Sequence, residues 1–343
     1  GEAVICFSRA AEKAPDSAMP WYYLAFSLLH GGGDLGDAME YIDYSLQLAP
    51  YEAHALNLKA LILFNQDDHM SALTYYDSTL RVDRDNFDAW FGKGLVLNVL
   101  ERYSEALESF DAALRINPDE EDAWVWKGKT LFNMGKPEEA RSCLNNALAL
   151  NRNDWKSWEC KGEVLMVLED YGEAIEAFNH AVALNDGAEN SWLQRGRAQI
   201  ETGDMTGAAI SLDRVFSLNP ENATMWWLRG IMYMELSRYD EALACYDRTL
   251  ATDPESPEYL YRKGVALQNL EREYESLEYF DKALLIDPDN SEIITIKGIT
   301  LAALNRYEEA LACSENALAS NPGFAGATFL KGLALAGLNR YEE

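Results

Sequence analysis

Apolar and small residues fall along this chain in a helical rhythm that keeps restarting. In the segment 87–120, FDAWFGKGLVLNVLERYSEALESFDAALRINPDE, Trp90, Gly94 and Leu97 sit at steps of four and three, and so do Ala106, Phe110 and Ala113. Each set marks one face of an α-helix. The segment Leu100–Ser104 turns between the two predicted helices, and Pro118 closes the unit, because proline cannot continue a helix. The pattern returns every 34 residues, with Gly94, Gly128, Gly162, Gly196, Gly230, Gly264, Gly298 and Gly332 in one register. A fixed period of this length predicts an all-α solenoid whose units contact only their neighbours. The whole chain, 1–343, reads as one such array. Nine complete units occupy 19–324, running 19–52, 53–86, 87–120, 121–154, 155–188, 189–222, 223–256, 257–290 and 291–324. A partial unit at 1–18 supplies a second helix only, with one extra residue, and 325–343 supplies a first helix and its turn.

The residue types have steric reasons. Glycine inside a helix costs about 1 kcal/mol relative to alanine, so close helix approach is expected to offset it, with Gly94 facing the methyl of Ala106. The small series Ala38, Ala72, Ala106, Ala140, Ala174, Ala208, Ala242, Ser276 and Ala310 keeps that contact narrow in every unit. Trp90, Trp124, Trp158, Trp192 and Trp226 share one register and are expected in the core, where burying a large side chain is worth about 1.5–3 kcal/mol. Phe26 and Ala60 stand in the glycine position of the first two complete units, and the turn His30-Gly31-Gly32-Gly33-Asp34 is rich in glycine. Those units are expected to be the loosest, with a mobile turn. Arg84, Arg152 and Asp186 replace the closing proline.

The pattern W-x-x-x-G-x-x-L/Y, then A-x-x-x-F/Y-x-x-A, then P, in a 34-residue unit, resembles the tetratricopeptide repeat (TPR) family over the whole chain. The resemblance implies antiparallel helix pairs stacked into a right-handed superhelix with a concave groove. It also implies a role in holding peptides or partner proteins, without cofactor or catalysis. One subgroup of that family grips peptide carboxylates with Lys and Asn from successive first helices. Asn57 stands where a Lys is needed, and no three consecutive units supply the set. The asparagine ladder of sugar-transferase repeat arms is missing too, its places holding Gly92, Trp126, Cys160 and Gln194.

Charge adds a second regularity. The residue before each glycine position is basic in nine units: Lys59, Lys93, Lys127, Lys161, Arg195, Arg229, Lys263, Lys297 and Lys331. A second-helix position is acidic or amide throughout: Asp43, Asp77, Asp111, Asn145, Asn179, Asp213, Asp247, Asp281 and Glu315. The two ladders are expected to meet, each acid facing the base of the next unit, with the Lys stem along the aromatic wall. A basic stripe for an acidic partner is the alternative. Net charge is −28, which disfavours nucleic acid and anionic membrane as partners.

First-helix residues not needed for packing are expected to line the groove. They are Asn57, Leu61, Phe91, Leu95, Asn98, Val125, Lys129, Phe132, Glu159, Glu163, Leu193, Arg197, Trp227, Ile231, Tyr261 and Val265, a charged waist between two apolar stretches. Exposed apolar surface in a concavity marks binding sites. The alternative is that the apolar members simply pack on neighbouring helices.

Motifs for chemistry are weak. Gly128-Lys129-Thr130 ends like a phosphate-binding loop, but Ala123 holds the earlier glycine position and the segment reads as helix. His30, His54, His69 and His180 share no metal-ligand spacing, so no metal is expected. The five cysteines show no paired spacing and their odd number argues against a disulfide framework; Cys6, Cys143, Cys245 and Cys313 share a repeat position suited to a small buried slot. A reducing, cytoplasmic setting is expected. Neither end carries a polar capping unit, so a piece of a longer protein with self-associating ends is expected. The expected function is a non-catalytic scaffold that holds a protein or peptide. The runner-up is the regulatory or substrate-recruiting arm of a larger enzyme.

Overall fold

Twenty helices and no strand account for the regular structure of the described residues, 2–342, in the computed structural model. They group into two compact units, Gly1–Asn185 and Asp186–Glu343. The first contains α1 (Glu2–Lys13) and the pairs α2 (Ala18–His30) with α3 (Leu35–Leu48), α4 (Ala53–Asn65) with α5 (His69–Val82), α6 (Phe87–Val99) with α7 (Tyr103–Ile116), α8 (Glu121–Asn133) with α9 (Pro137–Leu150), and α10 (Trp155–Val167) with α11 (Tyr171–Leu184). The second contains α12 (Glu189–Glu201) with α13 (Met205–Leu218), α14 (Ala223–Glu235) with α15 (Tyr239–Thr252), α16 (Pro257–Asn269) with α17 (Glu273–Ile286), α18 (Ser291–Ala303) with α19 (Tyr307–Ser320), and α20 (Ala325–Gly337). Within each unit the members of a pair run antiparallel and each pair packs on the next.

The turn inside each pair has a fixed construction. One residue per turn enters the left-handed region: Asp67, Glu101, Gly135, Glu169, Gly203, Ser237, Glu271, Asn305 and Asn339, with φ between 55° and 79°. The next N–H then reaches back to the carbonyl five residues earlier, as Arg102 does to Leu97 at 2.8 Å. This is the bonding of a Schellman stop, usually reserved for glycine. The following helix begins on an aspartate cap at Asp34, Asp68, Asp170 and Asp204, whose carboxylates accept from backbone N–H groups three residues on. Where arginine replaces that cap, it pairs with the glutamate three residues later: Arg102–Glu105 at 2.7 Å, Arg238–Glu241 at 2.7 Å, Arg272–Glu275 at 2.7 Å and Arg306–Glu309 at 2.7 Å.

The close approach at the glycines involves a different partner from the alanine expected. A Cβ on Gly94 would lie 2.5 Å from Phe110; on Gly162, 2.5 Å from Phe178; on Gly264, 2.5 Å from Phe280. The residue sixteen positions later thus lays its ring on the bare backbone, and the alanines lie fully buried nearby. Over Gly128 and Gly196 the covering residue is a leucine, Leu144 and Leu212, and two further units solve the same problem differently. Ala60 carries a methyl, and its ring, Tyr76, sits instead against Gly92 of the next first helix, where a Cβ would come within 2.4 Å. In the last pair the ring is replaced by Ser314, and Leu330 of α20 fills the space over Gly298.

The tryptophans are only half buried, because each does a second job. Their indole Nε1 atoms donate to a carbonyl six residues earlier, in the loop between pairs: Trp90 to Arg84, Trp124 to Pro118, Trp158 to Arg152, Trp192 to Asp186 and Trp226 to Pro220, all at 2.9 Å. Trp21 does the same to Pro15 at 3.0 Å. That bond corrects the register of the first complete unit. Trp21 matches Trp90, so Ala25, fully buried, holds the glycine position, while Phe26 is 40% exposed. The unit starts at 18, not 19, and the extra residue lies in the glycine turn, where Gly32 has φ 68°.

The two charge ladders meet as expected in six places. Lys59–Asp43 (2.5 Å), Lys93–Asp77 (2.7 Å), Lys127–Asp111 (2.6 Å), Arg229–Asp213 (3.0 Å) and Lys297–Asp281 (2.5 Å) form ion pairs, as do Lys263 and Asp247. Each base belongs to the unit after its acid. Lys93 and Lys127 also lie over Trp90 and Trp124, each 5.4 Å from the ring centre. Among the described residues no ion pair joins Lys331 to Glu315.

Candidate peptide-binding groove

Helices α6, α8 and α10 are the first helices of successive pairs, so residues at matching positions on them project side by side. Asn98, Trp126, Gly128, Lys129, Phe132, Asn133, Glu159, Cys160 and Glu163 meet around a cleft of about 320 Å³. Glu121, Asp122, Val125, Trp126, Lys129, Asp154, Trp155 and Lys156 line a second cleft of about 540 Å³. The two share Trp126 and Lys129, whose ammonium lies 4.8 Å above the indole centre. Asn98 is held by a hydrogen bond from its Nδ2 to Thr130 Oγ1, and Thr130 in turn donates to the Trp126 carbonyl at 2.8 Å. The floor is therefore rigid where the rim carries charge.

Electrostatics follow from this crowding. Burial pushes the Cys160 thiol up to about 11; Lys129 opposes that shift, while Glu163 and Glu159 add to it. Glu121 is raised chiefly by burial, against a 2.7 Å hydrogen bond from Asn151 Nδ2 and with help from Asp154, Asp122 and Glu120. No group of three metal-ligating side chains occurs among the described residues. No helix among them is long and apolar enough to cross a membrane.

The expected groove residues divide. Asn98, Lys129, Phe132, Glu159 and Glu163 come together in one cleft, and Val125 lies beside it. Leu61, Phe91 and Leu95 are half buried. Phe91 and Leu95 pack on the core that holds Tyr76 and Phe110, and Phe91 stacks on Phe87 with centroids 5.8 Å apart. Asn57 Oδ1 is buried without a hydrogen-bond partner. In the second unit Arg197 is exposed, while Ile231 and Val265 are half buried. Trp227 packs against Tyr246 and Tyr259 at 5.7 and 4.8 Å. Three residues are corrected: Val125, Leu193 and Tyr261 are 6%, 8% and 7% exposed, so they serve as core and offer little surface. Tyr261 also donates its hydroxyl to Glu292 at 3.0 Å. Trp126 and Cys160 were legible only as failures of an asparagine ladder, yet they form the floor.

A repeated helix hairpin with a fixed turn, a ring-on-glycine contact and an indole staple defines a helical-repeat protein. The TPR family model, described as tetratricopeptide repeat, matches residues 57–121, 193–257, 233–291 and 297–343. A second model of the same description matches 100–159. The chain belongs to the tetratricopeptide repeat family. No curated protein matches it in sequence. Three solved structures share the fold. The APC/C hetero-tetramer Cut9–Hcn1 is 17% identical with a TM-score of 0.55, covering 88% of this chain and 59% of that one. A tetratricopeptide repeat protein from Parabacteroides merdae is 15% identical at TM-score 0.55, covering 73% and 98%. PilF of Pseudomonas aeruginosa is 20% identical at TM-score 0.55, covering 61% and 94%.

Proposed function

We propose that this protein is an interaction scaffold whose first helices α6, α8 and α10 hold an extended segment of a partner protein. The supporting observation is the pair of adjoining clefts around Trp126 and Lys129, which offers apolar floor and charged rim together. Their volumes lie in the range that encloses side chains of a ligand. Trp126 and Phe132 suit an apolar anchor. Glu121, Asp122, Glu159 and Glu163 outnumber Lys129 and Lys156 around them, so a basic residue beside the anchor fits best, and the overall charge of −28 attracts such a segment.

Panning a random peptide library on the protein tests this reading. The expected motif is an apolar or aromatic residue next to Lys or Arg, whose affinity falls at least tenfold in Phe132→Ala and in Glu163→Lys. Peptides that bind the two variants as tightly as the parent protein would overturn it.

A further inference from the structure

The charge ladder breaks once inside the first unit, and the break opens a site on another face of α10. In the cleft formed around Trp90, Lys93, Trp124 and Lys127, of about 820 Å³, Asp111 neutralises Lys127 at 2.6 Å, and Glu105 and Glu108 add further negative charge. One unit later the corresponding cleft, about 590 Å³, is lined by Asn145, Arg152, Asn153, Trp158, Lys161 and His180, with Leu148, Ala149, Ala183 and Leu184. Asn145 takes the place of Asp111 and Lys161 that of Lys127. Among the described residues no carboxylate pairs with Lys161, whose ammonium rests 5.5 Å above Trp158. That indole is fixed from two sides, by its bond to the Arg152 carbonyl at 2.9 Å and by stacking on His180 at 4.3 Å.

No carboxylate lines this cleft, whereas four other clefts in the chain each carry at least two. In a protein of net charge −28, a concave spot bearing Lys161 and Arg152 and free of acids is a local reversal of sign. Replacing Asp by Asn keeps the shape and removes the internal counter-charge, which leaves the position for a charge supplied from outside. We propose that the cleft between α9, α10 and α11 binds an anionic side chain of a partner peptide, a phosphorylated or acidic residue, with Lys161 as its main counter-charge and Arg152 and Asn145 beside it. The proposal is independent of the groove, because Trp158 and Lys161 lie on a different face of α10 from Glu159 and Glu163.

The neighbouring units provide the control. The probe is a fluorescein-labelled Gly/Ser peptide with one central phosphoserine flanked by glutamates, and its neutral counterpart, followed by anisotropy at low salt. Saturable binding of the anionic peptide alone is expected. Asn145→Asp, which restores the pairing already present in six places, should weaken it at least tenfold, and Lys161→Gln should do the same. Asp111→Asn combined with Glu105→Gln and Glu108→Gln, which clears the adjacent cleft of carboxylates, should add a second equivalent of binding there. Lys129→Ala, in the groove, should leave binding unchanged. Absence of saturable binding up to millimolar protein, affinities within twofold of the parent in both Asn145→Asp and Lys161→Gln, or an equal loss in Lys129→Ala would each overturn the assignment.

Discussion

Alanine at Gly94 and alanine at Gly332 should have opposite effects, although the two glycines share one register. A Cβ at Gly94 would sit 2.5, 2.8 and 2.9 Å from three carbons of the Phe110 ring, which is fully buried and has nowhere to retreat. Ordinary carbon contacts begin near 3.5 Å, so the overlap is close to 1 Å. Overpacking of this kind costs about 1–3 kcal/mol, and alanine returns about 1 kcal/mol of helix propensity. With the cost taken at its upper end, the net loss is about 2 kcal/mol. A Cβ at Gly332 meets nothing within 4 Å, so only the propensity gain of about 1 kcal/mol remains. Urea unfolding read by circular dichroism gives the total. Hydrogen exchange in α6, α7 and α20 locates it, since a linear array can open in parts. Adding Phe110→Leu to Gly94→Ala should recover at least about 1 kcal/mol through coupling of touching residues, because leucine already serves over Gly128 and Gly196. Gly94→Ala as stable as the parent protein would refute the ring-on-backbone account.

Four further outcomes follow from the turns, ladders and thiols. Glu101→Gly should raise stability by up to about 1 kcal/mol in the same urea assay, since a left-handed residue with a Cβ costs about 1–2 kcal/mol and the glycine's extra unfolded freedom takes part of it back. Asp111→Asn should cost less than about 1 kcal/mol, because the aspartate side chain of the Lys127 pair is 53% exposed. Glu105, Glu241, Glu275 and Glu309 are held below their ordinary value, first by hydrogen bonds from Arg102, Arg238, Arg272 and Arg306. Their contribution is therefore complete above the unfolded carboxylate value and lost as pH falls through the folded one, so the fall of the melting temperature with acid should become shallower when the four glutamates are changed to glutamine. Cys160 and Cys245 are both pushed up to about 11 by burial, while Cys6 is exposed. A thiol reagent at neutral pH should label Cys6 first and Cys245, which is also buried, among the last.

Most of the architecture could be read from spacing, because a 34-residue period places equivalent residues in equivalent environments. The ion-pair ladder was legible for the same reason in the six places where an aspartate stands opposite the next unit's base. What spacing could not show is which atom fills the space above a glycine. Ala106 and Phe110 lie on the same buried face of α7, and only the packing shows that the ring, not the methyl, covers Gly94. Phe26 was misplaced because an inserted residue can sit anywhere in a half-unit, and the Trp21–Pro15 bond fixes it in the glycine turn. Of the residues expected to line a groove, the polar ones Asn98, Lys129, Glu159 and Glu163 are brought to one cleft, since charge rarely enters the core. Val125, Leu193 and Tyr261 were not, because an apolar side chain on the rim and one turned inward have the same letter.

The slot above each glycine has a bearing on how such a chain can change over generations. Because Tyr76 borrows room from Gly92, and Leu330 lends bulk that Ser314 lacks, neighbouring hairpins carry matched insertions and hollows. Copies are thus spelled alike without being interchangeable. Transplanting residues 53–86 elsewhere would demand a glycine at the sixth place of whatever follows, so that unit moves without strain only together with its neighbour.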